Sequence, residues 1–166
     1  MKRRAGELYV LSLILAGILL ISAQEPLSAQ SKDPLIGSWT LDLGKSSFVP
    51  DNPPLKRTIV FTEKDGGIRC VIRTTARGGL ENGMVSESAY TAKYDGKDYD
   101  ISESVLDTVS LKKIDANTIE RTGKIAGVLA ETATLKISQD GKMLTITTKG
   151  SLGRMDYSSV QVYLKQ

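Results

Sequence analysis

Residues 56–76 read KRTIVFTEKDGGIRCVIRTTA, two runs of alternating apolar and polar residues on either side of the turn sequence Lys64-Asp65-Gly66-Gly67. Alternation with a period of two is typical of a half-buried β-strand, because successive side chains point to opposite faces of a sheet. Glycine after aspartate favours a tight turn between two such strands. The stretch therefore predicts a β-hairpin in which Cys70 lies on the inward face as a small, unreactive core residue.

The same alternation continues along the chain, with further Asp-Gly turns predicted at residues 95–97 and 140–141. Residues 44–47, GKSS, are predicted to be the turn that leaves the first strand. Residues 125–137 also fit an amphipathic helix, but Gly127 and the threonines in that stretch disfavour it. Ten strands are predicted, over residues 39–43, 56–63, 68–76, 84–94, 98–102, 108–114, 118–125, 128–138, 143–149 and 156–166.

The short connections between the predicted strands decide between two all-β folds. Sequential hairpins form antiparallel meanders, and closing a meander into a barrel leaves no exposed strand edge. A β-sandwich is the alternative, but it usually needs longer crossing connections than these turns provide. We therefore predict an all-β, antiparallel up-and-down meander barrel of about eight to ten strands.

The first 30 residues have the three-part layout of a secretory signal peptide. A basic head, residues 2–4, precedes an apolar run of 16 residues, Leu8–Ala23, and cleavage is expected after Ala23 or Ala29. A transmembrane helix needs about 20 apolar residues, so the run is predicted to be a cleaved signal rather than a retained anchor. The expected product is one barrel domain, residues 31–166, that is secreted or periplasmic and makes no stable membrane insertion.

Composition excludes several classes of function. Without residues 1–30 the chain keeps 19 Lys and Arg and 17 Asp and Glu, and this interspersed net charge of +2 does not indicate a nucleic-acid partner. A single cysteine allows no internal disulfide. Because the chain has no histidine, it has no Ser-His-Asp or Cys-His catalytic pair and no histidine-ligated zinc or haem. We predict a protein without catalytic residues, metal or cofactor.

The segment Leu35-Ile36-Gly37-Ser38-Trp39, directly before an amphipathic strand, resembles the Gly-x-Trp opening of lipocalins and fatty-acid-binding proteins. The hairpin-rich layout after a signal segment is similar to small bacterial lipocalin-like proteins of unassigned function. The resemblance implies a barrel that is open at one end and closed at the other by a structural plug, Gly37 and Trp39. It also implies a basic side chain stacked on the tryptophan, for which Lys165 and Arg154 are the candidates.

The last strand departs from the pattern of fatty-acid-binding proteins. In those proteins Arg-x-Tyr on this strand grips a ligand carboxylate, whereas this chain has Gln161-Val162-Tyr163. The tyrosine fits and the arginine does not. Glutamine brings no charge, and charge-assisted hydrogen bonds are roughly twice as strong as neutral ones.

Two strands carry a polar and aromatic face whose direction the sequence leaves open. If these faces point inward, the cavity is amphiphilic; if they point outward, Val85, Val160 and Leu164 are among the residues that line the interior instead. The faces consist of Ser86, Ser88, Tyr90, Ala92 and Tyr94 in the fourth strand and of Tyr157, Ser159, Gln161 and Tyr163 in the last strand. The candidate ligand-binding residues are Tyr90, Tyr94, Gln161 and Tyr163.

Two functions compete on this basis, ahead of a third, an enzyme without histidine, for which the sequence suggests no substrate class. The first is a monomeric extracytoplasmic barrel that binds a small hydrophobic or amphiphilic ligand without catalysis. The second is a solid-cored envelope protein that acts through its surface as an inhibitor, an assembly factor or a structural component. Barrels of about eight strands either fill with side chains or hold one small ligand, and the few large aromatic residues favour a cavity.

Overall fold

Alternating residues form ten β-strands in the computed structural model, which describes residues 33–78 and 83–166. The predicted signal segment, residues 1–30, lies outside the described residues. The strands are β1 (Gly37–Val49), β2 (Lys56–Lys64), β3 (Gly67–Ala76), β4 (Met84–Ala92), β5 (Tyr99–Ser102), β6 (Thr108–Lys113), β7 (Thr118–Ile125), β8 (Val128–Ile137), β9 (Met143–Leu152) and β10 (Met155–Lys165).

Each strand pairs antiparallel with its neighbours in the chain, and β1 pairs with both β2 and β10. The sheet is therefore a closed barrel in which every strand has a partner on both sides. The predicted up-and-down meander barrel is confirmed. None of the described residues forms a helix of the length and hydropathy needed to cross a membrane.

The pairing of β1 with β10 is regular at the start of β1 and irregular after Asp42. The turn predicted at residues 44–47 is wrong, because the chain remains in strand conformation as far as Val49. The register against β10 shifts between Asp42 and Ser47, so the stretch is a bulge within the strand. The Ser46 Oγ donates to the Asp42 carbonyl at 2.6 Å and accepts from the Val162 N–H at 3.0 Å, which replaces ladder bonds that the bulge removes.

Trp39 lies fully buried near the start of β1. Its indole Nε1 donates to the Leu35 carbonyl at 2.8 Å. Lys165, and not Arg154, is the basic residue at the ring: its Nζ lies 4.9 Å from the ring centroid and donates to the Pro34 carbonyl at 3.0 Å. This end of the barrel, which we call the closed end, is sealed by the tryptophan and the lysine above it.

Gly37 is required by the same contact. Its φ is +142°, and a Cβ at this position would lie 2.7 Å from the Lys165 Cε. A larger residue would therefore push the lysine stem away from the indole. The glycine and the tryptophan of the Gly-x-Trp segment thus serve one packing arrangement, and Lys165 is its third member.

The polar and aromatic faces of β4 and β10 point into the barrel. Tyr163 is 1% exposed and Gln161 is 9% exposed, whereas Val160 and Leu164 on the other face are each 39% exposed. The register explains this orientation, because Tyr163 is paired with the inward residues of both neighbouring strands, which are apolar. Composition of the last strand alone favours the opposite orientation. The interior is amphiphilic as a result.

The apolar part of the core fills the barrel from the closed end upward. Its largest fully buried side chains come from most strands, so the packing links the whole circumference. Around Trp39 these side chains are Phe61, Ile68, Leu111, Ile119, Leu135, Ile137 and Leu144.

Replacing the buried indole tests the sealed end. Trp39→Ala is expected to lower the free energy of unfolding by about 3–5 kcal/mol, because it removes a large buried ring and leaves a cavity under Lys165. Trp39→Phe, the matched control, keeps most of the ring volume and should cost clearly less. Urea unfolding followed by circular dichroism measures both variants, and an unchanged midpoint for Trp39→Ala would contradict the buried position.

Candidate ligand-binding cavity

A cavity opens at the end of the barrel opposite Trp39, where β1 ends and β2 begins. Its inner part has a volume of about 210 Å³ and its outer part about 540 Å³, and seven side chains line both parts. Ligand pockets in proteins typically occupy about 300–1,000 Å³. The half of the barrel above the apolar core therefore has room for a small molecule.

The structure brings two of the four predicted ligand residues to this cavity. Gln161 and Tyr163 line the inner part. Tyr90 is buried in the wall beside Cys70 and Arg121 and does not line the cavity. Tyr94 lies elsewhere, at the closed end.

Tyr94 is hydrogen-bonded to Asp33, in the segment that leads into β1. Its hydroxyl donates to the Asp33 Oδ2 at 2.8 Å, and the Lys113 Nζ lies 3.4 Å from the same oxygen. The ammonium is also 5.2 Å from the Tyr94 ring centroid. Burial, followed by the hydrogen bond to Asp33, raises the pKa of Tyr94. These contacts give Tyr94 a structural role at a distance from the cavity.

An arginine from β2 supplies the charge that the last strand lacks. The Arg57 Nη1 donates to the Gln161 Oε1 at 2.9 Å, and the Tyr163 hydroxyl donates to the same oxygen at 2.6 Å. The Arg57 Nε donates to the Thr74 Oγ1 at 3.0 Å. Arginine, glutamine and tyrosine thus form one hydrogen-bonded group in the cavity, although they come from opposite sides of β1.

The alternation in β2 predicts that Arg57 points inward, although the comparison with the Arg-x-Tyr motif did not identify it. Arg57 stands two residues before Ile59 and four before Phe61, both of which are buried. Alternation with a period of two therefore places the guanidinium on the inward face. Arg121 on β7 follows the same rule, since it is two residues after the buried Ile119.

A second polar group lies beside the first. The Arg121 Nη2 and the Glu131 Oε1 are 2.5 Å apart, with the two side chains only 13% and 10% exposed. The Tyr157 hydroxyl donates to the Glu131 Oε2 at 2.8 Å. Burial opposes the charge of Arg121, but the carboxylate of Glu131 favours it, and the balance raises the pKa of Arg121. The pKa of Tyr157 is raised by burial and by the same carboxylate.

Two glycines make room for this second group. A Cβ on Gly150 would lie 2.4 Å from the Tyr157 ring, which crosses β9 to reach Glu131. A Cβ on Gly123 would lie 2.6 Å from a Leu106 methyl group and 2.9 Å from the Glu131 Cγ. The glycines sit directly opposite Glu131 on the two neighbouring strands. Close approach of side chains, rather than a turn, is what requires glycine here.

The charges of the inner cavity do not cancel. Arg121 is paired with Glu131, whereas Arg57 forms no ion pair with any residue that the structure describes. Arg77 adds a further positive charge to the outer part. The described lining residues therefore carry more positive than negative charge, and an anionic group would be attracted to the cavity.

Two buried donors lie in the wall of the barrel at the cavity. The Tyr90 hydroxyl and the Arg121 Nε are shielded from solvent and have no hydrogen-bond partner among the described residues. Burial raises the pKa of Tyr90, and it raises the pKa of the neighbouring Cys70 to about 12. Cys70 is therefore a protonated thiol at neutral pH, as in buried structural cysteines.

Comparisons with known proteins add a likeness of shape only. No family model and no curated protein sequence matches this chain. A similar solved structure is zebrafish ileal bile acid-binding protein complexed with cholic acid, with 11% sequence identity and a TM-score of 0.45 over 80% of this chain and 99% of that chain.

The described residues contain no group of three or more cysteine, aspartate and glutamate side chains placed to hold a metal ion.

The buried ion pair can be tested by removing one partner and then both. Arg121→Met is expected to lower the free energy of unfolding by about 3–5 kcal/mol, because it leaves the Glu131 carboxylate buried without its cation. Arg121→Met combined with Glu131→Gln should cost less than the sum of the single changes. Urea unfolding at neutral pH measures all variants.

An exposed ion pair provides the control. Arg73 and Glu87 are 2.7 Å apart with side chains 66% and 47% exposed. Arg73→Met should therefore cost only about 0–1 kcal/mol. Equal losses for Arg121→Met and Arg73→Met would show that the Arg121 pair is not desolvated as described.

Proposed function

We propose that this protein binds a small amphiphilic anion in its barrel without catalysing a reaction, and that it does so outside the cytoplasm after removal of residues 1–30. The observation that carries the proposal is Arg57, a cation inside the barrel that neutral groups hold in place. A charge held in this way, beside open space, is an arrangement that favours a negatively charged group on a ligand.

The two parts of the cavity suggest how such a ligand lies. Its acidic group would accept hydrogen bonds from Arg57 and, after a small shift of the amide, from Tyr163. Hydrogen bonds to charged groups contribute about 1.5–3 kcal/mol each. The apolar portion would contact Ile59 and Ile72 within the barrel and Met155 near the mouth. Burial of this apolar surface supplies the remaining affinity.

The proposed lack of catalysis is supported by the sequence and by the contacts of Glu131, and the proposed site of action is supported by the sequence. The chain has no histidine, and the carboxylate in the cavity, Glu131, is held by Arg121 and Tyr157. A carboxylate with both oxygens occupied in this way is poorly placed as a general base. The basic head and apolar run of residues 1–30 support export.

A fluorescent fatty acid distinguishes the role of Arg57. Arg57→Met is expected to weaken binding of dansyl-undecanoic acid about tenfold or more, because it removes the cation and keeps a stem of similar length. The methyl ester of the same probe, which has no charge, should bind to both proteins with affinities within about twofold. Fluorescence titration gives the dissociation constants.

Arg73→Met is the matched control for that experiment, since Arg73 lies on the outward face of β3 and pairs with Glu87. It should leave the affinity for the acid unchanged. The proposal fails if neither probe binds, or if Arg57→Met weakens the acid and the ester equally.

Native mass spectrometry of protein purified from its own host tests binding without a chosen probe. We expect a monomer carrying one additional small molecule that dissociates on activation, with an acidic group in its fragmentation pattern. A clean apo mass, together with no uptake of either dansyl probe, would instead support the solid-cored, surface-acting alternative.

A further inference from the structure

Exposed apolar side chains gather around the mouth of the cavity. We call six of them the rim: Val49, Val105, Val128, Leu129, Leu152 and Met155. Their exposed fractions lie between 40% and 69%. Exposed apolar side chains that gather at one end of a protein mark interaction sites more often than scattered single residues do.

The rim follows the circumference of the barrel. It comes from four separate segments: the end of β1, the β5–β6 connection, the β7–β8 hairpin and the β9–β10 hairpin. Met84 and Val85 at the start of β4 are also exposed, at 67% and 66%, and extend it. A ring of apolar tips fits a flat apolar partner better than a groove-binding peptide, which would contact one side only.

The rim continues directly into the cavity. Four rim residues also line the outer cavity: Val49, Val105, Leu152 and Met155. An amphiphile that moves between the cavity and a flat apolar phase pressed against the rim would meet apolar surface along its path. Contact with bulk water would be avoided.

Charged side chains at the mouth fit the headgroup layer of a membrane. Arg77 lines the outer cavity, and Arg154 lies between two rim residues in the β9–β10 turn. Neither arginine forms an ion pair with a described residue, and guanidinium groups beside apolar tips suit lipid phosphates. Four exposed carboxylates lie at the same end, so apolar contact rather than net charge would dominate: Asp51, Glu103, Asp107 and Asp156.

We propose that the rim docks the mouth of the barrel onto a lipid bilayer, where the cavity loads or releases the amphiphile of the proposed function, on which this inference rests. The occupant is a membrane surface. The rim side chains enter the region between headgroups and acyl chains, while Arg77 and Arg154 contact phosphate groups. The closed end, with Trp39, faces away from the lipid.

A matched pair of labels shows which end of the barrel touches lipid. Leu129 at the rim and Ile114 at the closed end have similar exposures, 57% and 55%. The full chain carrying Leu129→Cys or Ile114→Cys is labelled with an environment-sensitive dye, since buried Cys70 reacts poorly. With phosphatidylcholine vesicles, the emission of the Leu129→Cys label should shift to the blue and that of the Ile114→Cys label should not. Equal shifts, or none, overturn the proposal.

Vesicle flotation gives a second measurement on the full chain. Val128→Ser combined with Met155→Ser should lower the vesicle partition coefficient at least about tenfold. Each methylene group that enters the bilayer raises this coefficient about fourfold. The control, Ile114→Ser combined with Met143→Ser, changes exposed apolar residues at the closed end and should bind like the original protein. All variants share the same N-terminal segment, so it cannot account for a difference between them.

The remaining outcomes separate this proposal from the proposed function. If dansyl-undecanoic acid binds in solution but neither label shifts, docking is overturned and ligand binding stands. If the acid does not bind, the proposed function fails whatever the labels show. A dimer without vesicles that the rim substitutions dissociate would identify a second copy of the chain as the occupant and would also overturn the membrane proposal.

Discussion

The pairing of β1 with β10 is the constraint on which the rest of the structure depends. An up-and-down meander of ten strands has two free edges until its first and last strands meet, and unpaired backbone groups at those edges would invite association with other chains. Trp39 and Lys165 are direct partners across this seam. Their stacking, and the glycine that admits the lysine stem, place a buried contact at the seam where the sheet closes.

Closure divides the interior into two halves with different physical roles. Toward Trp39 the strands contribute fully buried aliphatic and aromatic side chains, whose desolvation stabilises the fold. Toward the mouth the same strands contribute arginine, glutamate, glutamine and threonine. Burying such groups costs free energy unless they are hydrogen-bonded, so this half needs partners that hold it in place.

The sequence predicted the strands well because each alternates and most end at a recognisable turn. Residues 44–47 were an exception, since GKSS has the composition of a turn but lies where the closing register holds it in a strand. The sequence also did not determine which face of β10 points inward. Its apolar residues form the better core face by composition, but register with neighbouring apolar residues turns Tyr163 inward instead.

The residues of the candidate site were likewise predicted only in part. Gln161 and Tyr163 were located by comparison with one motif, and they line the cavity. Arg57 was overlooked because the motif places an arginine on the last strand, whereas here it comes from β2. Alternation alone puts Arg57 inside, but no sequence pattern shows that it reaches a residue two strands away. That contact depends on which strands adjoin after closure.

The bulge in β1 explains how this contact forms. The register between β1 and β10 jumps from Asp42 opposite Val162 to Ser47 opposite Val160, so Gln161 has no partner residue on β1. A regular strand would place an inward side chain there, between Arg57 on one side and Gln161 on the other. Because the bulge omits it, the guanidinium reaches across β1 to the amide. Residues 44–47 therefore have two roles in the barrel. They continue β1 along its pairing with β10, and they leave the space through which the Arg57 guanidinium reaches Gln161.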